Sequence, residues 1–179
     1  MRILGAIIAG GQSLRFGSDK AHALLDGRRL IEIVALGLKV QVEASVVCGR
    51  TFEDLIALRD RPVTGLGPLG GLCAALHLAN FNGYDAVLSV AADIVPIPPQ
   101  LAEWLVEQSD GARRPAVIKG QHLIGLWPAA LSERLDQYLQ TPLDRSLRSW
   151  IAACGAIPIS VPVVFTNINS REDLQRAKA

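Results

Sequence analysis

A glycine-rich, basic segment near the amino terminus, IIAGGQSLRFGSDKA, carries residue types that bind phosphate. Gly10 and Gly11 have no side chains, so their backbone N–H groups can approach an anion closely. Ser13 adds a hydroxyl group, and Arg15 and Lys20 add two positive charges. Because a nucleoside triphosphate needs such donors together, the segment predicts a triphosphate-binding loop.

The spacing of this segment differs from two common phosphate-binding patterns. The phosphate loop G-x-x-x-x-G-K-[ST] places Gly-Lys before a hydroxyl residue, and the dinucleotide fingerprint G-x-G-x-x-G separates its first two glycines. Here Gly10 and Gly11 are adjacent, and no Gly-Lys-Ser follows them. The alternative interpretation is a tight turn flanked by two solvated cations.

Apolar runs alternate with amphipathic stretches along the chain and predict the elements that position this loop. The strand-like runs are 3–8, 45–48, 86–91, 116–118 and 122–127. The helix-like stretches are 30–42, 52–58, 72–78, 101–108, 129–140 and 147–154. This order predicts a three-layer, Rossmann-like α/β fold, with a mostly parallel sheet, helices on both faces and an antiparallel edge. The length of 179 residues fits a single domain, 1–179.

Asp93 is the best candidate for a metal ligand. It follows the apolar run 86–91, so it is expected at the carboxyl end of a strand, where ligands bind in open α/β sheets. Loops 9–20, 64–71 and 92–99 are expected to meet there. Magnesium bound through one or two carboxylates is the usual means of neutralising a triphosphate. The alternative role for Asp93 is to cap the following turn.

The composition excludes several classes of protein. Half of the residues are apolar, a fifth are charged and the net charge is +1, so there is no overall charge that favours nucleic acid or an anionic membrane. The apolar run at the amino terminus is too short to span a membrane. Three widely spaced cysteines indicate a reducing compartment, and we expect a cytoplasmic protein. Cysteines and histidines show no Cys-x-x-Cys or His-x-x-x-His spacing, so no zinc site is predicted.

The glycine-rich segment resembles the signature L-A-G-G-x-S-x-R-x-G-x-D-K-A of molybdenum cofactor guanylyltransferases. Related nucleotidyltransferases usually carry A-A-G-x-G-x-R with Pro-Lys, so the adjacent glycines and Asp19-Lys20 favour the molybdopterin branch. Three later segments are similar to family motifs in the expected order, and the resemblance extends over nearly the whole chain. They are Gly67-Pro68-Leu69-Gly70-Gly71-Leu72, Ile124-Gly125-Leu126-Trp127 and Thr166-Asn167-Ile168-Asn169-Ser170.

The resemblance implies a nucleotidyltransferase fold and transfer of GMP from GTP to the terminal phosphate of molybdenum-molybdopterin. Arg15 is expected to draw charge from the departing phosphates, Lys20 to bridge phosphate groups, and Asp93 to hold Mg²⁺. Asn167 and Asn169 are candidate hydrogen-bond partners for the pterin or for a neighbouring turn. The implied nucleotide-binding residues are Ile8, Ala9, Gly10, Gly11, Gln12, Ser13, Lys20 and Asp93.

The expected partners are GTP and molybdopterin, with transient contacts to proteins of cofactor synthesis or to molybdoenzymes. At the predicted nucleotide pocket, two positions depart from the family pattern. Gly49 stands after the second strand where the family has Asn, and the stretch before Gly67 lacks the family's Asp. Asp60 lies nearby, but its neighbours Arg59 and Arg61 favour a solvated charge cluster. Two alternatives remain open: use of CTP or another phosphate acceptor, and a catalytically weak accessory protein that binds nucleotide or pterin.

Overall fold

A computed structural model of the chain describes residues 1–10, 23–52, 55–141 and 144–176, without the side chain of residue 171. The strands are β1 Ile3–Ile8, β2 Leu24–Leu25, β3 Arg28–Arg29, β4 Ala44–Cys48, β5 Ile56–Leu58, β6 Ala86–Ala91, β7 Ile94–Val95, β8 Ala116–Ile118, β9 Gln121–Pro128, β10 Ile157–Ile159 and β11 Thr166–Asn167. The helices are α1 Leu30–Lys39, α2 Gly67–Phe81, α3 Leu101–Gln108, α4 Ser132–Gln140, α5 Leu147–Cys154 and α6 Arg171–Arg176.

A seven-stranded sheet with the order β10-β8-β9-β6-β1-β4-β5 forms the centre of the fold. β6, β1, β4 and β5 run parallel to one another, and β9 runs antiparallel to both of its neighbours. The antiparallel part predicted from the sequence is therefore present, but it does not form the edge of the sheet. β8 joins β9 through a two-residue turn at Lys119-Gly120, and β10 pairs outside β8, so β9 lies inside the sheet.

Helices cover both faces of the sheet, because successive side chains of a strand point to opposite faces and both sets are apolar here. On β1, Ile3 and Ile7 pack in one core cluster with α1 and α3. Leu4 and Ile8 pack in a second cluster with α2, α4 and α5. This confirms the predicted helices on both faces.

The turn at Asp26-Gly27 closes a small hairpin between β2 and β3. Both residues have positive φ, 52° and 80°, as the tight two-residue hairpin turn requires. α1 begins directly after β3, where the backbone N–H group and Nε of Arg29 both donate hydrogen bonds to the carboxylate of Glu32. This turn sets the direction in which α1 enters the core.

Two predicted helical stretches differ from the structure. The stretch 52–58 is not a helix in its described part, because Ile56–Leu58 forms the edge strand β5, paired parallel to β4. Seven residues are too few for the helical period to be distinguished from a short strand. The helix predicted at 72–78 begins earlier, at Gly67, with Pro68 in its first turn, where its missing N–H group is not needed. None of the described helices is long and apolar enough to cross a membrane.

Candidate nucleotide-binding site

Backbone hydrogen bonds join the carboxyl ends of three neighbouring parallel strands. The N–H group of Ala9, just past β1, donates to the carbonyl oxygen of Cys48 at 2.9 Å. The N–H group of Ala92, just past β6, donates to the carbonyl oxygen of Ile8 at 3.1 Å. The loops that leave β1, β4 and β6 therefore start side by side at one edge of the sheet.

Ile8, Ala9 and Gly10 are the described part of the predicted triphosphate loop. Ile8 and Ala9 are buried, whereas Gly10 is exposed at the sheet edge. The other predicted residues of this loop lie outside the described residues, and their roles stay predictions. These residues are Gly11, Gln12, Ser13, Arg15 and Lys20.

Gly49 supports the start of this loop by close packing. It has a φ of +87°, and a Cβ atom added to it would lie 2.6 Å from Cα of Gly10. A side chain at this position would therefore meet both backbone strain and a collision with the loop. This gives a physical reason for the glycine that stands where the resembled family has Asn.

Arg50 was not identified from the sequence, yet it contacts the same loop. Its Nε donates a hydrogen bond of 2.9 Å to the carbonyl oxygen of Ala9. The side chain is half-buried and carries a positive charge at the edge where the triphosphate is expected. The signal available in the sequence was its position two residues after the end of β4, because neighbouring parallel strands end at the same edge of the sheet.

Asp93 lies at this edge, two residues after β6, and is half-buried. Its backbone oxygen accepts a hydrogen bond of 2.9 Å from the N–H group of Ile168, which is fully buried. This bond continues the antiparallel pairing of β11 with β7, so the segment carrying Asp93 is fixed in position. One half-buried carboxylate suits Mg²⁺, which commonly binds through one or two carboxylates together with waters and phosphates.

The two asparagines proposed for the pterin already have structural contacts. Oδ1 of Asn167 accepts a hydrogen bond of 2.8 Å from Nε2 of Gln121. The backbone N–H group of Asn169 donates to Oδ2 of Asp173 at 2.9 Å. A cleft of about 300 Å³ lies beside this region, with Lys119 and Gln121 among its lining residues. The side chain of Asn167 therefore holds β11 to β9, whereas at Asn169 it is the backbone that contacts the first turn of α6.

The start of α2 packs closely against the sheet because two of its residues are glycines. A Cβ atom at Gly71 would lie 2.7 Å from Cβ of Cys48, and one at Gly70 would lie 2.8 Å from Cβ of Asp60. Larger residues would push this helix start away from the ends of β4 and β5. The Gly-Pro-Leu-Gly-Gly segment therefore serves close packing beside the site.

Asp60 lies in the loop between β5 and α2. Its Oδ2 accepts a hydrogen bond of 3.1 Å from the N–H group of Gly65, and the residue is half-buried. Arg61 instead extends to α4, where its Nε lies 3.5 Å from Oδ1 of Asp136. Burial, with a smaller contribution from the Asp60 carboxylate, raises the pKa of the Cys48 thiol to about 12. The carboxylate of Asp60 is thus close enough to the end of β4 to affect the pKa of Cys48.

The chain is similar to known proteins over most of its length. The profile of the family described as MobA-like NTP transferase domain matches residues 5–157. A molybdenum cofactor guanylyltransferase from Rhodobacter capsulatus is 36% identical over 185 residues, which cover 99% of this chain and 96% of that protein. One from Rhizobium leguminosarum is 30% identical and covers 98% of this chain and 91% of its own length.

Two solved structures are similar in fold. Molybdopterin-guanine dinucleotide biosynthesis protein A from Archaeoglobus fulgidus has a TM-score of 0.75 at 20% identity, covering 99% of this chain and 97% of its own. The 2-C-methyl-D-erythritol 4-phosphate cytidylyltransferase from Thermus thermophilus has a TM-score of 0.73 at 14% identity, covering 99% and 96%. At such low sequence identities the similarity shows the fold alone, and it confirms the predicted α/β architecture.

Proposed function

Because the chain belongs to the MobA-like NTP transferase domain family and is a nucleotidyltransferase, we propose that it transfers GMP from GTP to molybdenum-molybdopterin. An oxygen of the terminal phosphate of the acceptor attacks the α-phosphorus of GTP. The bond between the α-phosphorus and the bridging oxygen breaks, and pyrophosphate leaves with that oxygen. The product is the guanine dinucleotide form of the cofactor.

The observation that carries this proposal is that Gly10 and Asp93 each lie two residues beyond the ends of neighbouring parallel strands, at the same edge of the sheet. Ile8 at the end of β1 pairs with Ala91 at the end of β6, so both loops leave the sheet at the same level. Triphosphate oxygens held over Gly10 would therefore come close to the carboxylate of Asp93. Anion donors and a metal-binding acid on adjacent strands are what nucleotidyl transfer needs.

The proposed roles divide between backbone, cations and carboxylate. The backbone from Gly10 to Ser13 would hold phosphate oxygens, and Lys20 would bridge phosphate groups as charge develops. Arg15 would stabilise the departing pyrophosphate. Asp93 would hold Mg²⁺, which when bound supplies positive charge to the triphosphate. Since no side-chain nucleophile is needed, positioning and electrostatics would provide most of the rate.

Asp60 is the residue that we propose to read the base. It lies half-buried beside the start of α2 and near Cys48 at the end of β4, the strand next to the one that leads into the predicted triphosphate loop. Guanine presents adjacent N–H donors that a carboxylate accepts, whereas cytosine lacks that pair. An Asp60→Asn variant is expected to lose roughly tenfold or more in kcat/KM for GTP, since an unpaired polar group costs about 1–3 kcal/mol. An unchanged preference for GTP over CTP would remove Asp60 from this role.

The test is pyrophosphate release from GTP in the presence of Mg²⁺ and molybdenum-loaded molybdopterin, with ATP and CTP as competing substrates. Asp93→Asn should abolish release, and Lys20→Ala should raise the barrier by about 2–4 kcal/mol, the range for losing one preorganised electrostatic donor. Asp110→Asn is the matched control, because Asp110 is an exposed acid paired with Arg113 on the surface.

Other outcomes of this experiment would identify the alternatives. Preferential release from CTP would assign cytidylyl transfer on the same fold. Tight nucleotide or pterin binding by folded protein, without release from any nucleotide, would assign an accessory binding role. Full activity of Asp93→Asn would contradict the proposed metal ligand.

A further inference from the structure

Three potential metal ligands lie together between α2 and α4, and none of them is among the residues assigned to the nucleotide. Cys73 and His77 are one helical turn apart on α2, and Asp136 faces them from α4. Cys73 is fully buried, and the side chains of His77 and Asp136 are only 18% and 12% exposed. This cluster was not predicted from the sequence, because Asp136 is 59 positions beyond His77. The spacing Cys-x-x-x-His also mixes two ligand types, so it matches neither Cys-x-x-Cys nor His-x-x-x-His.

The distances within the cluster suit a tetrahedral metal ion. Sγ of Cys73 lies 3.6 Å from Oδ1 of Asp136, and Nε2 of His77 lies 3.3 Å from the same oxygen. The three ligand atoms all lie within 4.8 Å of one another. Zinc bonds of about 2.0 Å to nitrogen or oxygen and about 2.3 Å to sulfur place tetrahedral ligand atoms roughly 3.3–3.6 Å apart. The remaining pair, Sγ of Cys73 and a ring nitrogen of His77, is separated by at most 4.8 Å, so these two side chains must approach by up to about 1.3 Å to coordinate one ion.

The imidazole of His77 is poorly satisfied within the protein. Among the described residues, its buried Nε2 has no hydrogen-bond partner. The nearby Oδ1 of Asp136 is close in distance, but the angle does not make a hydrogen bond. A buried polar nitrogen without a partner costs free energy. A metal ion in the space between the three side chains would accept the lone pair of this nitrogen.

The outer contacts also suit a metal site. Oδ2 of Asp136 accepts a hydrogen bond of 2.7 Å from Nε2 of Gln140, which orients the carboxylate. The second ring nitrogen of His77 lies 3.8 Å from a carboxylate oxygen of Glu133. That separation is too long for a hydrogen bond, so Glu133 would have to move closer to orient the ring, as carboxylates behind metal-bound histidines do.

We propose that Cys73, His77 and Asp136 form a Zn²⁺ site that links α2 to α4, with water as a fourth ligand. Mixed sulfur, nitrogen and oxygen ligands favour zinc over magnesium or calcium, which prefer oxygen alone. Arg61, whose side chain is half-exposed, neutralises Asp136 in the metal-free protein and can turn into solvent when the ion binds. The competing interpretation is a metal-free network in which Arg61 pairs with Asp136 and the thiol of Cys73 donates to the same carboxylate.

The experiment uses full-length protein without a histidine tag, stripped with a chelator and titrated with Zn²⁺ against an indicator. We expect one equivalent to bind, and Co²⁺ in its place to show the thiolate charge-transfer and visible bands of a tetrahedral cysteine-containing site. Cys73→Ser should remove the charge-transfer band, and Asp136→Asn should weaken binding while keeping the side-chain volume. Gln140→Ala should weaken binding by about 10–100-fold, the usual effect of losing an outer partner.

Cys154→Ser and His122→Gln are matched controls, since these residues lie outside the cluster, and both should bind zinc as the unaltered protein does. Circular dichroism and thermal unfolding of each metal-free variant would separate loss of the site from loss of the fold. The proposal is overturned if folded Cys73→Ser binds Zn²⁺ as tightly as the unaltered protein. It is also overturned if the cobalt spectrum lacks the thiolate band.

Discussion

Nε of Arg50 donates a hydrogen bond to the carbonyl oxygen of Ala9, across 41 positions of sequence and 2.9 Å of space. Ala9 immediately precedes the glycines of the predicted triphosphate loop. The residue that follows one strand therefore restrains the loop that leaves its neighbour. This contact makes Arg50 a positioning residue for the proposed reaction, and it suggests the first test.

Arg50→Gln is expected to lower kcat/KM for GTP by roughly tenfold or more, because a hydrogen bond from a charged donor contributes about 1.5–3 kcal/mol. The lower kcat/KM should result from poorer positioning of the triphosphate. Arg50→Lys keeps the positive charge but not the Nε donor, so it should restore only part of the lost kcat/KM. Pyrophosphate release with separate determination of kcat and KM measures both effects. Arg113→Gln, which alters an exposed surface pair, is the control. Equal rates for Arg50→Gln and the unaltered protein would show that the contact is dispensable.

Gly49→Ala should destabilise the fold more than Gly120→Ala does. Both glycines have positive φ, +87° and +81°, so both substitutions carry a similar backbone strain of about 1–3 kcal/mol. Only Gly49 faces a collision, 2.6 Å from Cα of Gly10, whereas a Cβ atom at Gly120 meets nothing within 4 Å. Urea unfolding of the two variants isolates the collision as the difference between them. Equal destabilisation would mean that the loop moves aside without cost.

Ser89→Ala should lower the free energy of unfolding by about 1–3 kcal/mol, because it leaves a buried donor unpaired. Oγ of Ser89 accepts a hydrogen bond of 2.8 Å from Nε1 of Trp127, and both side chains are buried. Adding Ser89→Ala to Trp127→Phe should cost less than it does in the unaltered protein, since the donor has already been removed. A double-mutant cycle by urea unfolding measures this, and strictly additive changes would contradict the pairing.

The stability of the protein should depend on the Cys48 thiol at high pH. Burial, followed by the Asp60 carboxylate, raises the pKa of Cys48 from 9.0 to about 12. Between these values the unfolded chain has lost the proton while the folded chain keeps it. The unfolded state therefore binds fewer protons, and the free energy of unfolding falls as pH rises, by up to about 1.4 kcal/mol per pH unit from this thiol.

Cys48→Ala keeps the Cβ atom that packs against Gly71 but removes the titrating group. Its free energy of unfolding should therefore fall less steeply than that of the unaltered protein between about pH 9 and 12. Chemical unfolding at several pH values compares the two slopes. Parallel slopes would show that the thiol does not titrate differently in the two states.

The sequence predicted the central elements of the sheet because their signals are local. β1 and β6 are apolar runs of six residues, and the turn at Asp26-Gly27 has a strong residue preference. The glycine-rich segment and Asp93 were expected at one edge from strand ends alone. The edge strand β5 was predicted as a helix, because three residues gain their conformation from pairing with β4 rather than from their own pattern.

By itself, the sequence determined the longer strands and helices, because their apolar patterns involve residues close together in the chain. It also predicted, from one short motif, where a triphosphate binds. Only the tertiary structure decided which distant side chains meet. Arg50 reaches Ala9, and Asp136 reaches Cys73 and His77, through pairing of strands and packing of helices far apart in sequence. Hydrophobic periodicity predicts that one face of a helix or strand is buried, but it does not predict which other element packs against that face. That choice follows from how all the apolar faces can be buried together.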